Sequence, residues 1–434
     1  MRNDAAPILK HVRSRHTLTG IDLPGNFVLP NYEGYGLVNL PATVLRHFGV
    51  KGVATPPLAA DAIGDTLKGC KKVVVLLVDA LGYLALDAQM KADRSLGFNQ
   101  IRKRGRFLPL TTVFPSTTAV TTTTLNTAAA PAQHGITGYR MYLKDQGGVA
   151  NMILLSPDVD RRPGRLLRDA GDAQKLLGVP TIYERLKDVG VPAYAMMRRE
   201  ISRSGLSEMH YTDVKGMIPF VSASDMCVEI LRLVESNPGQ PLFVGAYWDA
   251  LDSILHQYGT LGPHPIAEIR ALGGILQREL VDPLLKAGRG DTALIITADH
   301  GQVEVKEEDV MQPFRTPAAR QHLVAPPSGT GRTLYLHVRH GHVDALERSL
   351  KRSLGSRAAV VDCEAALAEG LWGPGKPKRE TAERLGERMV MPYGSGIAFY
   401  PYRGRRSRVR DVTLGRHGGL HESEMLIPLL CARV

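Results

Sequence analysis

Three carboxylates and three imidazoles stand where strands or helices can aim them at a common point. Asp79 closes the apolar run KKVVVLLVD (71–79), and Asp299 and His300 follow ALIITA and precede Gly301, where the chain can turn sharply. Asp252 and His256 lie four apart in DSILH, so one helical turn projects both from the same face. His417 sits in RHGGL, ahead of the last apolar run. If the strands are parallel, their carboxyl ends share one crevice. Six such donors suffice for two divalent metal ions, zinc most naturally, with manganese as the alternative. Asp249, in YWDALDSILH, is a rival carboxylate. Taken singly, each residue has a plain reading as a loop cap or an amphipathic-helix residue. Their order and their placement at strand ends set the group apart from chance.

A second component is VFPSTTAVTTTTLNTAAAPAQHGITGY (113–139). A helix beginning near Thr117 or Thr118 offers unsatisfied N–H groups and a positive dipole end to an anion. A hydroxyl there becomes a nucleophile once a metal lowers its pKa. Read alone, a Ser/Thr-rich helix start is a cap, with the threonine run filling a β-branched core face.

These groups need a scaffold. The strand patterns at 71–79, 108–113, 192–196, 241–249 and 291–299 alternate with helix patterns at 83–92, 181–189, 223–236 and 265–286. That alternation predicts an α/β fold with a mostly parallel central sheet and helices on both faces. Residues 1–70 read as a lead-in packed on the main domain. Residues 71–301 and 396–434 read as the catalytic α/β domain, with 302–395 as an inserted α+β cap subdomain that selects the leaving group. Within the cap, TLYLHV (333–338), a helix at 343–354 and AAVVDC (358–363) form a βαβ-like unit, after which MVMPYGSGIAFYPY is expected to return to the main sheet.

The chain has 434 residues, 44% of them apolar and 22% charged, the balance of a globular protein rather than a disordered one. No uncharged apolar run approaches the ~18 residues of a membrane helix, and the first 20 residues mix charges throughout, which argues against a secretory signal. Cys70, Cys227, Cys363 and Cys431 lie far apart with no CxxC, as expected of reduced thiols in a cytoplasmic protein. The net charge of +11 favours an anionic small-molecule partner. Dense basic runs occur at 161–168, 197–200 and 402–410, but no nucleic-acid-binding module accompanies them.

In order, VVLLVDALG, FPSTTA…APAQHGITGY, DSILHQYG, TADHG and RHGGL…EMLIPLL resemble the alkaline phosphatase superfamily, and within it the type I phosphodiesterase/nucleotide pyrophosphatase group. The resemblance runs from about residue 71 to the C-terminus in short islands. It implies one metal held by Asp79, Asp299 and His300 and bridged to the nucleophile, and another held by Asp252, His256 and His417. The group's four-residue Asp-to-His interval selects Asp252 over Asp249. Its nucleophile commonly lies nine residues before a Thr that resembles Thr127, which implies Thr118; aligning FPS with the group's FPN leaves Thr117 and Ser116 as alternatives. The implied activity is hydrolysis of phosphate esters, diesters first, through a phosphothreonine. A phosphomonoesterase or a phosphonate- or phosphomutase-type enzyme is the alternative, and an inactive metal- or partner-binding scaffold is the alternative of another class. Three positions depart from the group. Ala128 replaces a Gly, Tyr139 takes the place of a phosphate-orienting Asn and becomes the expected substrate contact, and His421 is an extra imidazole. A Thr nucleophile also argues against a formylglycine sulfatase.

Overall fold

The β-branched run Lys72–Val78 has no polar face, and the fold buries it along its whole length as the central strand of a seven-stranded sheet. The computed structural model describes residues 5–160, 162–167, 175–402 and 414–434. In chain order the strands of this sheet are β1 (Lys72–Val78), β2 (Gly105–Thr111), β3 (Ala193–Arg198), β4 (Gly216–Phe220), β5 (Leu242–Trp248), β6 (Thr292–Thr297) and β7 (Leu426–Arg433). They lie side by side as β2-β7-β6-β1-β5-β3-β4. Only β7 runs against its neighbours β2 and β6; β6, β1, β5, β3 and β4 are mutually parallel. The mostly parallel α/β sheet expected from the alternation is therefore present.

Helices Tyr83–Ala92, Ile182–Asp188 and Ala223–Ser236 fall where the 3.6-residue patterns put them. The helix expected over 265–286 runs Pro263–Leu276 and passes through a π-turn before ending at Lys286. Residues before β1 lie along the edge of β2, where the Leu37 N–H meets the Thr111 carbonyl at 2.8 Å.

A second sheet of seven antiparallel strands stands apart from the first. Its order is Ala358–Asp362, Arg388–Pro392, Thr333–Leu336, Ser328–Thr330, Arg140–Leu143, Gly148–Asn151, Ser156–Pro157. Two features differ from the expectation. Arg388–Pro392 does not return to the main sheet but inserts between Thr333–Leu336 and Ala358–Asp362, splitting the βαβ-like unit. Three strands also come from 140–157, outside the stretch 302–395 that the sequence set apart. Helix Val343–Leu354 covers this sheet with Leu346, Leu350 and Leu354, spaced at four residues and all buried. The chain rejoins the main sheet only at Leu426.

Among the described residues no helix is long and apolar enough to cross a membrane, and all four cysteines are buried free thiols. Of the basic runs, positions 161, 168 and 403–410 lie outside the described residues.

Candidate active site

Strand register sets the first donors at one level. Val78 pairs with Trp248 and Leu77 with Thr297, so Asp79, Asp249 and Asp299 all emerge just past the carboxyl ends of β1, β5 and β6. Asp79 and Asp299 are buried together. Ala80 takes a left-handed φ of 63°, uncommon for a side chain with Cβ, and its N–H donates to Asp299 Oδ1 at 3.0 Å. The His300 N–H donates to the same oxygen at 2.9 Å. Gly301 is required by close approach: a Cβ there would fall 2.1 Å from the Ser423 carbonyl oxygen. Asp249 turns away to an ion pair with Arg198 at 2.6 Å and does not join the cluster.

Asp252 and His256 rise from one face of α2 (Ala250–Tyr258), with Asp252 Oδ1 3.5 Å from His256 Nε2. His417 follows the strand Leu414–Arg416; its Nε2 lies 3.9 Å from the same oxygen, and its ring stacks on His300 at 3.7 Å. Asp252 is therefore central, close to His256 and His417 on one side and to Asp79 and His300 on the other. The fold brings all six sequence-identified donors together.

The chemistry of this set calls for a cation. The Nδ1 atoms of His300 and His417 face the carbonyls of Gly301 (3.0 Å) and Ser116 (2.9 Å), so each carries its proton there and leaves Nε2 as a bare acceptor. His256 Nδ1 meets the Gly415 carbonyl at 2.8 Å, with Arg416 Nη1 equally close. His300 Nε2 then lies 3.1 Å from Asp299 Oδ2 and 3.6 Å from Asp79 Oδ1, a buried oxygen with no hydrogen-bond partner among the described residues. Acceptors facing acceptors in a buried site are costly without positive charge between them. Burial first, then the charges of Asp299 and Asp252, hold the Asp79 carboxyl well above the carboxylate range, and burial lifts Asp299 to about 6. Burial lowers His300 to about 3 and holds His417 well below its ordinary value, so the imidazoles do not supply that charge as cations. The residues present fit divalent metal.

The nucleophile candidates separate by direction. Ser116 Oγ is buried and donates to the Gly419 carbonyl at 2.9 Å. Thr117 caps α1 (Thr118–Thr127) in an extended conformation, and its hydroxyl is buried without a partner among the described residues. Thr118 is the first residue of the helix, and its Oγ1 lies 3.2 Å from His300 Nε2. Thr121, Thr122 and Thr123 bond back to carbonyls four residues earlier, Thr121 to Thr117 at 2.9 Å and Thr123 to Ala119 at 2.6 Å, so their hydroxyls are engaged inside the helix. Ala128, which ends α1, adopts a left-handed φ of 56°.

Tyr139 lines a cleft together with Thr118, His256 and His417, and its oxygen accepts a bond from Asn151 Nδ2 at 2.8 Å. His421 does not reach the donors; its Nδ1 accepts the Ser423 N–H at 3.1 Å and caps the short helix Glu422–Met425. Sequence reasoning missed two contacts. Tyr247 donates to Asp79 Oδ2, and Gln302 donates to Asp252 Oδ1. Only the position of Gln302 directly after TADHG hinted at a role.

A family model described as type I phosphodiesterase/nucleotide pyrophosphatase matches residues 73–370. No curated protein matches the chain. Solved structures do. Human ectonucleotide pyrophosphatase/phosphodiesterase 5 is similar at 18% identity and a TM-score of 0.63, over 83% of this chain and 87% of that one. Its murine counterpart is similar at 18% identity and 0.61, over 82% and 87%. Phosphonoacetate hydrolase from Sinorhizobium meliloti 1021, in complex with phosphonoformate, is similar at 18% identity and 0.58, over 83% and 89%. At these identities the structures speak to the fold, whereas the family model spans well over half of the sequence. On that match the chain belongs to the type I phosphodiesterase/nucleotide pyrophosphatase family.

Proposed function

We propose that this chain is a metal-dependent phosphodiesterase that works through a covalent phosphothreonine on Thr118. The observation that carries the reading is the Thr118 hydroxyl, which heads α1 3.2 Å from His300 Nε2 and borders the donor cluster. Asp79, Asp299 and His300 would hold one divalent cation and Asp252, His256 and His417 the other, with zinc suited to this nitrogen and oxygen set and manganese the alternative. When bound, the pair supplies charge neutralisation at the phosphoryl oxygens and a lower pKa for an oxygen nucleophile.

The chain's own residues do the rest. Thr118 loses its proton to solvent and its oxygen forms a bond to phosphorus, in line with the bond to the departing alcohol. That bond breaks, and the alkoxide leaves with the electron pair and takes a proton from water. The N–H groups at the amino end of α1 receive the charge that builds on the non-bridging oxygens. Water then attacks phosphorus, the bond to Thr118 breaks, and the hydroxyl is regenerated. Tyr139, steadied by Asn151, borders the cleft where a phosphate substituent would lie.

A murine relative was solved as an inactive threonine-to-alanine variant in complex with AMP, which supports a threonine nucleophile here. The likeness to phosphonoacetate hydrolase gives the second reading, cleavage of a phosphonate. The test is turnover of bis-p-nitrophenyl phosphate, p-nitrophenyl phosphate and phosphonoacetate by zinc- and manganese-loaded protein. Diester turnover should dominate, and Thr118→Ala should abolish it while two equivalents of metal stay bound. Full activity in that variant would remove this nucleophile, and a protein that binds no metal would be the inactive scaffold.

A further inference from the structure

Thr118 borders two cavities. One is the cleft of Tyr139 and His417. The other runs from Asp79, Thr118 and Asp252 between α1, β1 and β5. Buried apolar side chains wall it, among them Leu40, Val44, Leu77, Ile182 and Phe243. Its polar atoms are mostly engaged within the protein. Asn126 Nδ2 donates to the Thr122 carbonyl at 2.8 Å, Ser207 Oγ donates to the Ile201 carbonyl at 2.9 Å, and His210 Nε2 meets Thr123 Oγ1 at 2.9 Å. Among its described lining residues there is no lysine or arginine, and the acidic ones are Asp79, Asp249 and Asp252. Tyr183 adds a phenol to the apolar part of this wall. The residue is 2% exposed and lines the cavity. Its oxygen occupies space opened by Gly245, where a Cβ would fall 2.6 Å away.

We infer that this second cavity is the subsite for a neutral, predominantly apolar ester group of aryl size, with Tyr183 meeting one polar atom on it. The inference rests on the reading of Thr118 as the point of attack. An anionic substituent would lose its hydration among apolar walls that offer it no lysine or arginine in exchange. A neutral ring removes its own surface, and that of the walls, from water.

Equilibrium binding of phosphonates to the zinc-loaded full chain tests this without turnover. Phenylphosphonate should bind about tenfold or more tighter than methylphosphonate, since the ring adds buried apolar area. Phosphonoacetate and AMP should gain nothing over methylphosphonate. Gly245→Ala should narrow the phenyl advantage, and Tyr183→Phe, which keeps the apolar ring, should preserve it. Equal binding of methyl- and phenylphosphonate, or tightest binding of phosphonoacetate or AMP, would overturn the subsite. Turnover of bis-p-nitrophenyl phosphate is measured separately. Turnover without phenyl preference sinks the subsite alone, and phenyl preference without turnover sinks the Thr118 reading alone.

Discussion

Ser116→Ala removes one oxygen and unties two backbone groups beside a metal-competent histidine. Ser116 Oγ accepts from the Gly418 N–H at 3.1 Å and donates to the Gly419 carbonyl at 2.9 Å, while the Ser116 carbonyl holds His417 Nδ1 at 2.9 Å. Alanine keeps the carbonyl but leaves the other two groups buried and unpaired, at about 1–3 kcal/mol each. Thr333 Oγ1, bonded to the Gly418 carbonyl at 2.7 Å, and Glu424 Oε1, taking the Gly419 N–H at 2.9 Å, still restrain the loop. We therefore assign about 1–2 kcal/mol of the total to the placement of His417, a factor of about 5–30 in metal affinity. The assay is turnover against zinc concentration beside a direct zinc titration. The zinc dependence should move by that factor, with kcat recovered at saturating zinc, whereas Thr118→Ala should bind zinc normally and stay inactive at every concentration. If Ser116→Ala keeps its zinc affinity yet loses turnover at saturating metal, the reasoning fails and Ser116 is the residue that attacks phosphorus.

Ala128 pays the left-handed penalty of an L-residue at φ 56°, so Ala128→Gly should stabilise the protein by about 0.5–1 kcal/mol in thermal unfolding; a lower Tm would refute that account of the helix end. In metal-free protein Asp79→Asn replaces a carboxyl that burial and two neighbouring carboxylates hold far above its ordinary range, so the apo Tm should rise while the increase on adding zinc shrinks. An unchanged zinc increment would show that Asp79 holds no metal. Burial lowers His210 to about 3, against about 6.5 in an unfolded chain. The unfolded state therefore takes up the proton first as pH falls below about 6.5, and stability present above that pH drains away toward pH 3, by on the order of 4 kcal/mol from this residue. His210→Gln should flatten the acid limb of Tm against pH; an equally steep limb would place the titration elsewhere.

The donor cluster was legible because each part obeys a local rule. A four-residue interval on a helix put Asp252 beside His256, and parallel strands carried Asp79 and Asp299 to one edge. Which hydroxyl faces the donors was not legible from residue type, since Ser116, Thr117 and Thr118 offer the same group. Only the turn from extended backbone at Thr117 into α1 aims them in three directions. Gly301 was read as a turn residue, yet what excludes a side chain there is the Ser423 carbonyl, a neighbour more than a hundred residues away. The second sheet escaped for a related reason. Arg140–Leu143, Gly148–Asn151 and Ser156–Pro157 are too short to show a two-residue alternation, and Arg140 finds its partner at Gly329. Pairing at that separation leaves no local trace.

How that sheet comes to border the site follows from one buried ion pair. Arg332, one cation among 54 Lys and Arg in the sequence, is 1% exposed and donates through Nε (3.1 Å) and Nη2 (2.6 Å) to the fully buried Glu424. A single charge left in that place would be strongly destabilising, so neither partner is stable there alone. Arg332 sits between Ser328–Thr330 and Thr333–Leu336 of the second sheet, while Glu424 also grips the Gly419 N–H, two residues beyond His417. The pair therefore couples the position of the second sheet to the loop that presents a metal-competent imidazole, and a shift of that sheet that breaks the pair disturbs the donor cluster as well as the cleft wall.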